Sequence, residues 1–313
     1  MQVRALPVVV PVAVSWLAVT AIWSTTPLFV YLSTLAFPAE LAGGLRMAVA
    51  AVLANLLLRA TGGRLPRHRA AWLTYAAMTP GVFGAMYLTY LVADRIPTGL
   101  ISVLFGLSPI VTAVCARVLA DDPLPSPARL GAALVALAGL VFLTGASAGG
   151  GQAADTLAIG VLLLAVLLFS VSAVLVRKLG GGLDALAQTT GALWLSLPCY
   201  ALAWLLHGAP LPALDSAQFT RSLLAIAYLA VFGSVLGFVC YYQVLKQMPA
   251  ASAAMITVVT PVFALALGAL FNGEVFTPSM LGGAVLVLAG VAGFLLDAGS
   301  LMRRLPGSDR RPD

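Results

Sequence analysis

Two hydroxyl–proline pairs, Ser108-Pro109 and Thr260-Pro261, interrupt long apolar runs, and the two prolines are 152 positions apart. A proline inside a helix removes a backbone hydrogen bond, bends the helix and frees a carbonyl one turn upstream. In lipid, that carbonyl needs a hydroxyl, a neighbouring helix or cavity water as its partner. We therefore expect Pro109 and Pro261 to be hinges, and Ser108 and Thr260 to line a polar pathway. Two packing kinks without any ligand contact would give the same pattern.

Arg46 is the one basic residue that lies well inside an apolar run. An arginine at the centre of a membrane helix costs about 2.5–3.5 kcal/mol on insertion scales. Arg46 follows Glu40 by six residues, which is roughly 9 Å along a helix, so snorkelling avoids part of that cost. Two interpretations stay open. Either Arg46 attracts a carboxylate or phosphate, or it satisfies loop carbonyls or a carboxylate of another helix.

Aromatic and hydroxyl side chains recur at spacings of three and four in the first apolar run, which places them on one helix face. Such a face offers flat surface for an apolar or aromatic ligand. Packing explains it equally well, and an interfacial belt explains tyrosines near the ends of runs. The candidates are Trp16, Thr20, Trp23 and Ser24 in the first run, Tyr87 and Tyr90 in the third, and Tyr242 in the eighth.

Composition indicates that these residues are positioned by membrane helices. Of the 313 residues, 61% are hydrophobic and 9% charged, against about 25% charged in soluble domains. Runs of about 18 or more apolar residues predict membrane-spanning helices, and they lack the alternation of barrel strands. We number ten such segments, at about 9–31, 39–58, 70–92, 98–119, 127–145, 157–176, 184–206, 222–244, 250–271 and 279–297.

The basic residues predict how these segments are oriented. If the segments alternate, fourteen of the seventeen lysines and arginines lie on one side, Arg95 and Arg221 lie on the other, and Arg46 lies within a segment. Because basic residues accumulate on the cytoplasmic side, both termini are predicted to be cytoplasmic. The first segment is too long for the core of a cleaved signal and is predicted to be a retained anchor. The net charge of +6 is thus a topology signal and does not indicate nucleic-acid binding.

The second half of the chain repeats the first. The stretch "RIPTGLISVLFGLSPIV" at 95–111 aligns without a gap to "QMPAASAAMITVVTPVF" at 247–263, and Tyr90 matches Tyr242 in the same register. The stretch "SPARLGAALVALAG" at 126–139 then aligns with "TPSMLGGAVLVLAG" at 277–290. Each repeat holds five segments, an odd number, so the copies are predicted to insert in opposite directions, as in many secondary transporters. The expected units are 8–145, 157–297 and a basic cytoplasmic tail at 298–313.

These stretches, with "AIWSTTPLFV", "PAELAGGLRMAVAAVL" and "TPVFALALGALFNGEVFTPSMLGGAVLVLAGV", resemble the EamA-type transporters of the drug/metabolite transporter superfamily. The resemblance covers nearly the whole chain. It departs from the family pattern at Asp122, where the family usually has glutamate. The resemblance implies a ten-helix carrier of small metabolites, often an exporter, with a central cavity lined by segments one, three, four, six, eight and nine.

The expected function is export of a small organic metabolite, such as an amino acid or related solute, by alternating access. Multidrug or toxic-compound efflux is the alternative, and an intramembrane enzyme or a channel is a more distant one. No carboxylate lies in the middle of a segment, which argues against a simple proton relay. No cofactor, metal site or catalytic set is expected, because the three cysteines form no CxxC motif and both histidines lie in loops. The expected setting is the cell (inner) membrane, with a small-molecule substrate and the lipid bilayer as partners, and a homodimer is compatible with the sequence.

Overall fold

The computed structural model describes residues 11–95, 101, 104–145, 155–179, 182–208, 217–272 and 278–302. All regular structure in these ranges is helical, which confirms the all-α prediction there. In the first half the helices are α1 (Val12–Thr34), α2 (Ala39–Ala60), α3 (Arg69–Thr79), a π-helical stretch (Pro80–Ala85), α4 (Met86–Leu91), α5 (Ser108–Ala120) and α6 (Pro127–Gly145). In the second half they are α7 (Thr156–Leu179), α8 (Ala185–His207), α9 (Ala217–Tyr228), a π-helical stretch (Leu229–Leu236), α10 (Gly237–Gln247), α11 (Ala250–Asn272) and α12 (Pro278–Met302).

Length and composition suit these helices to a bilayer. Five of them are long and apolar enough to cross a membrane: Val12–Thr34, Ala39–Ala60, Thr156–Leu179, Ala185–His207 and the continuous Gln218–Gln247. Shorter apolar helices lie at Ser108–Ala120, Pro127–Phe142, Ala250–Phe263 and Leu281–Leu296. The burial pattern is the reverse of that in a soluble protein, because hydroxyl residues such as Thr20 and Ser108 are fully buried while Leu206 is 78% exposed. Lipid is the solvent in which such an apolar exterior is stable.

Segments three and eight each contain a π-helical stretch at a matching place in the repeat. Pro80, which has no N–H to donate, begins the first stretch. Gly81 in it and Gly233 in the second are 152 positions apart. The hydrophobic pattern did not predict either stretch. Wide turns of this kind occur frequently at functional sites.

Segment four differs from the continuous helix that was predicted over 98–119. The chain forms a turn at residues 106–107, and α5 begins at Ser108. Pro109 therefore lies in the first helical turn, where its missing N–H costs little. Pro261 instead lies inside the unbroken α11. The two matching prolines thus have unequal local settings.

Hydroxyl groups satisfy the carbonyls that these prolines leave free. The carbonyl of Phe105, four residues before Pro109, lies 3.0 Å from Thr257 Oγ1, whose one proton it shares with the carbonyl of Ala254 at 2.8 Å. The carbonyl of Thr257, four residues before Pro261, accepts one from Thr260 Oγ1 at 2.9 Å. Ser108 Oγ and Thr257 Oγ1 are themselves 2.7 Å apart. Matching positions of the two repeats therefore contact each other directly.

Glycines allow segments five and ten to cross closely. A Cβ on Gly139 would lie 2.6 Å from the backbone N of Val287, and one on Gly290 would lie 2.5 Å from the carbonyl of Ala132. Gly139 and Gly290 are matching residues of the repeat. Small residues at such a crossing bring membrane helices into backbone contact.

Helix ends gather at two opposite faces of the bundle. At what we call the basic face, three cationic side chains at the ends of segments six and eight donate to carbonyls at other segment ends. They are Lys178 to Leu119 at 2.9 Å, Arg177 to Met248 at 3.0 Å, and Lys246 to Leu183.

At the opposite face, which we call the Glu40 face, Ser222 Oγ donates to the carbonyl of Leu32 at 2.8 Å, and Arg95 pairs with Asp155. Burial opposes ionisation of Asp155, but the N–H groups of Ala158 and Leu157 and the Arg95 guanidinium together hold the pKa of this carboxyl below its usual range. The ends that meet at each face are those that alternation of the segments predicts.

Candidate functional site

A cavity of about 100 Å³ is lined by residues of both repeats. Segments one, three, four, six, eight and nine line it, as the resemblance implied, and Arg46 of segment two joins them. The lining residues are Trp23, Thr26, Pro27, Val30, Arg46, Gly81, Met86, Thr89, Tyr90, Ile101, Phe105, Phe169, Ser172, Ala173, Phe238, Tyr241, Tyr242, Thr257 and Thr260. The cavity therefore lies where the proline and π-helical irregularities meet.

Aromatic rings form one wall of this cavity. The Trp23 ring lies 4.9 Å from that of Tyr241 and 6.1 Å from that of Phe169, centroid to centroid. Phe169 also contacts Phe105, at 6.1 Å. These separations are within the range of favourable aromatic pairs. The wall is apolar, and it draws its rings from both repeats.

Arg46 supplies the positive charge of the cavity. Its side chain is 1% exposed. Arg46 Nε donates to Ser234 Oγ at 2.8 Å, and Nη1 donates to Tyr90 Oη at 3.5 Å. The ion pairs within the described ranges, Arg95–Asp155 and His207–Glu40, do not involve it. A guanidinium has five N–H donors, so this buried cation has capacity for an anionic ligand.

Two glycines of segment eight make room for the cationic and aromatic groups. A Cβ on Gly233 would lie 3.0 Å from Arg46 Nη2, and one on Gly237 would lie 2.6 Å from Trp23 Nε1. Neither glycine has a positive φ, so their missing side chains serve close approach. The backbone of segment eight thus limits how closely the side chains of Arg46 and Trp23 approach this helix.

Neutral polar groups complete the lining. Tyr241 Oη is buried and has no hydrogen-bond partner in the part of the chain that the structure describes. Thr257 and Thr260 hold the proline-freed carbonyls and also line the cavity. A buried hydroxyl without a partner is costly.

The structure brings five of the predicted pathway residues to this cavity, namely Trp23, Arg46, Tyr90, Tyr242 and Thr260. The other five have neighbours outside its lining. Thr20 and Ser24 hydroxyls donate to carbonyls of their own helix, at Trp16 and Thr20. Trp16 packs into the hydrophobic core. The Ser108 hydroxyl forms a hydrogen bond with the hydroxyl of Thr257, which does line the cavity.

Tyr87 belongs to a separate cluster at the Glu40 face. Its hydroxyl donates to Glu40 Oε1 at 3.1 Å and lies 2.9 Å from His207 Nδ1. His207 Nδ1 is in turn 2.6 Å from Glu40 Oε1. The cluster ties segments two, three and seven together. Tyr87 therefore closes one end of the bundle, while Tyr90, one turn further along, reaches the cavity.

Sequence reasoning missed the phenylalanines of the aromatic wall, Phe105, Phe169 and Phe238. Phenylalanine is ordinary in apolar segments, so its presence there carries no signal. Phe105 was detectable in principle, because it is the residue whose carbonyl Pro109 leaves free. Ser234, which positions Arg46, lies in segment eight without any feature of spacing that marks it.

Comparison with known proteins adds three findings. The model of the family described as "EamA-like transporter family" matches residues 11–145 and again residues 156–296. A protein of Streptantibioticus cattleyicolor described as "Probable terminal-alkyne amino-acid exporter" is 30% identical over 269 residues, which are 84% of this chain and 85% of that protein. A solved structure described as "Crystal structure of protein" is similar with a TM-score of 0.75 at 20% identity, over 93% of this chain and 98% of its own. At that identity the last likeness establishes the fold alone.

Proposed function

Since the chain belongs to the EamA-like transporter family and is a multi-pass membrane transporter, we propose that it exports a small amino acid with an apolar side chain. The observation that carries this proposal is the buried Arg46 beside an aromatic wall in one cavity. A carboxylate would bind the guanidinium, and an apolar side chain would lie against Trp23 and Phe169.

Electrostatics favours a carboxylate at Arg46. A buried cation without a counter-ion pays a desolvation penalty of several kcal/mol. An arriving carboxylate offsets that penalty with charge-assisted hydrogen bonds, which are about twice as strong as neutral ones. The relative from Streptantibioticus cattleyicolor, described as an amino-acid exporter, supports the same class of solute for this chain.

The size of the cavity favours a metabolite over a multidrug substrate. Drug-sized ligands occupy pockets of about 300–1,000 Å³, whereas this cavity measures about 100 Å³. The space in this conformation is therefore smaller than a drug-sized ligand requires, which favours a small solute such as an amino acid.

The transport cycle that we propose is alternating access between two inverted halves, 8–145 and 157–297, of five membrane-spanning segments each. Both termini then lie in the cytoplasm, the basic face is cytoplasmic, and the membrane is the cell (inner) membrane. The hinges are the turn before Pro109, the helical turn of α11 that contains Pro261 and the two π-helical stretches. These irregularities surround the cavity from both repeats, which supports a rocking motion about the bound solute.

Counterflow in proteoliposomes tests the proposal. Vesicles loaded with unlabelled L-propargylglycine should accumulate the labelled compound transiently and saturably, whereas its methyl ester, which lacks the carboxylate, should not compete. Arg46→Gln should raise the KM at least tenfold, because a hydrogen bond to a charged group contributes about 1.5–3 kcal/mol. Arg59→Gln, an exposed change at the end of the same helix, is the matched control. Absence of counterflow in the wild-type protein, or equal competition by the ester, would refute the proposal.

A further inference from the structure

A second cavity opens at the basic face and shares one residue with the first. It measures about 340 Å³, and its polar lining residues include Asp122, Arg177, Lys178, Gln188, Tyr242 and Lys246. Tyr242 lines both cavities. Its side chain, 3% exposed, therefore forms part of the wall between the central cavity and this one, which we call the vestibule.

The vestibule carries charges of both signs. Three cations line it, and Asp122 is its acidic residue. Lys178 and Arg177 donate to the carbonyls of Leu119 and Met248. An ammonium has three N–H donors and a guanidinium five, so each of these side chains retains donors for a ligand. Binding the carbonyls at helix ends uses some of the N–H donors of these side chains and leaves the others for a ligand.

Within the part of the chain that the structure describes, the Asp122 carboxylate forms no ion pair. The backbone N of Asp122 donates to the carbonyl of Ala116, and the ion pairs in the described ranges are Arg95–Asp155 and His207–Glu40. A location near the start of segment five would favour an acid through the helix dipole. That explanation does not require Asp122 to share a cavity with three cations.

We propose that the vestibule is a loading site for zwitterionic amino acids, in which Asp122 binds the ammonium group while Lys178 and Arg177 bind the carboxylate. The solute would then pass Tyr242 into the central cavity, where Arg46 takes over the carboxylate. This inference rests on the proposed export function and adds a second site with a requirement for the amino group. It predicts that selection for an amino acid over a simple carboxylic acid occurs at the vestibule.

Transport from each membrane face separates the two sites. Initial rates would be measured in everted vesicles, with the basic face outward, and in right-side-out vesicles. The substrates are L-propargylglycine and 4-pentynoate, the same molecule without its amino group. In everted vesicles Asp122→Asn should raise the KM for propargylglycine about tenfold and leave that for 4-pentynoate unchanged. In right-side-out vesicles both KM values should stay at the wild-type level.

Two further variants guard against a trivial loss of structure. Asp122→Glu should restore the low KM for propargylglycine, and Asp155→Asn, a change of the acid at the opposite face, should have no effect. Unchanged KM values in Asp122→Asn, or equal changes for both substrates or at both faces, would overturn the loading site. Lack of saturable uptake by the wild-type protein would instead contradict the export function itself.

Discussion

At the scale of single residues, the site depends on glycines, because their missing side chains leave room for Arg46 and Trp23. Gly237 has helical backbone angles, at φ −60° and ψ −49°, so alanine would fit its conformation and favour the helix. Its added Cβ would nevertheless lie 2.6 Å from Trp23 Nε1. The tryptophan, which lines the cavity, must then shift.

We therefore expect Gly237→Ala to raise the KM for propargylglycine about tenfold, since overpacking of a filled core costs about 1–3 kcal/mol. Gly282→Ala is the matched control, because nothing lies within 4 Å of the Cβ added there. Initial rates of uptake into proteoliposomes measure both. Wild-type kinetics in Gly237→Ala would mean that Trp23 does not limit the space for the substrate.

Residue types and spacing predicted part of this site. Arg46 and Trp23 stood out, because charge and indole rings are rare in apolar segments. The shared helix face of Trp16, Thr20 and Ser24 did not place them in the cavity. The hydroxyls of Thr20 and Ser24 donate to carbonyls of their own helix. Trp16 packs against core side chains. A helical period shows that residues share a face, but the neighbour on that face is set by packing between segments.

At the scale of elements, each proline leaves the carbonyl four residues before it without a backbone donor, and a threonine hydroxyl lies within hydrogen-bond distance of that carbonyl. The Phe105 carbonyl depends on Thr257 of the other repeat. Thr257→Val keeps the volume of the side chain and removes the hydroxyl. The carbonyl would then be buried without a donor, which costs about 1–3 kcal/mol.

Thr257→Val should accordingly lower the thermal unfolding midpoint in detergent, as measured by loss of the monodisperse species on size exclusion after heating. Thr34→Val provides the comparison, because the Thr34 hydroxyl donates to Tyr31 of its own helix at an exposed position. A midpoint equal to wild type for both variants would mean that another group, such as Ser108, takes over the carbonyl.

The sequence repeat predicted where the matching prolines lie, but it did not predict the local structure around them or the π-helical stretches. Matching prolines did not give matching structures, since Pro109 lies in the first turn of a helix and Pro261 lies within an unbroken one. The π-helical stretches were not predicted, because the hydrophobic pattern does not distinguish a π-helical turn from an α-helical one. Charge and apolar length predict the order and polarity of the segments from the sequence, because both are local properties.

At the scale of the whole molecule, the proposed cycle requires the two repeats to have opposite orientations. Arg64 of the first repeat and Lys178 of the second should then lie in the cytoplasm, while Arg95 and Arg221, again one from each repeat, lie outside. All four side chains are exposed. The free cysteines Cys115, Cys199 and Cys240 would first be replaced, and single cysteines then introduced at the four positions.

A membrane-impermeant maleimide added to intact cells should label Arg95→Cys and Arg221→Cys, and should reach Arg64→Cys and Lys178→Cys in everted vesicles. The physical reason is that basic residues accumulate on the cytoplasmic side of short loops, and fourteen of the seventeen in this chain fall on one side when the segments alternate. Labelling of Arg64→Cys and Lys178→Cys from different sides would mean that the repeats are parallel. Exchange of conformation between two inverted halves, the form of alternating access proposed here, would then be excluded.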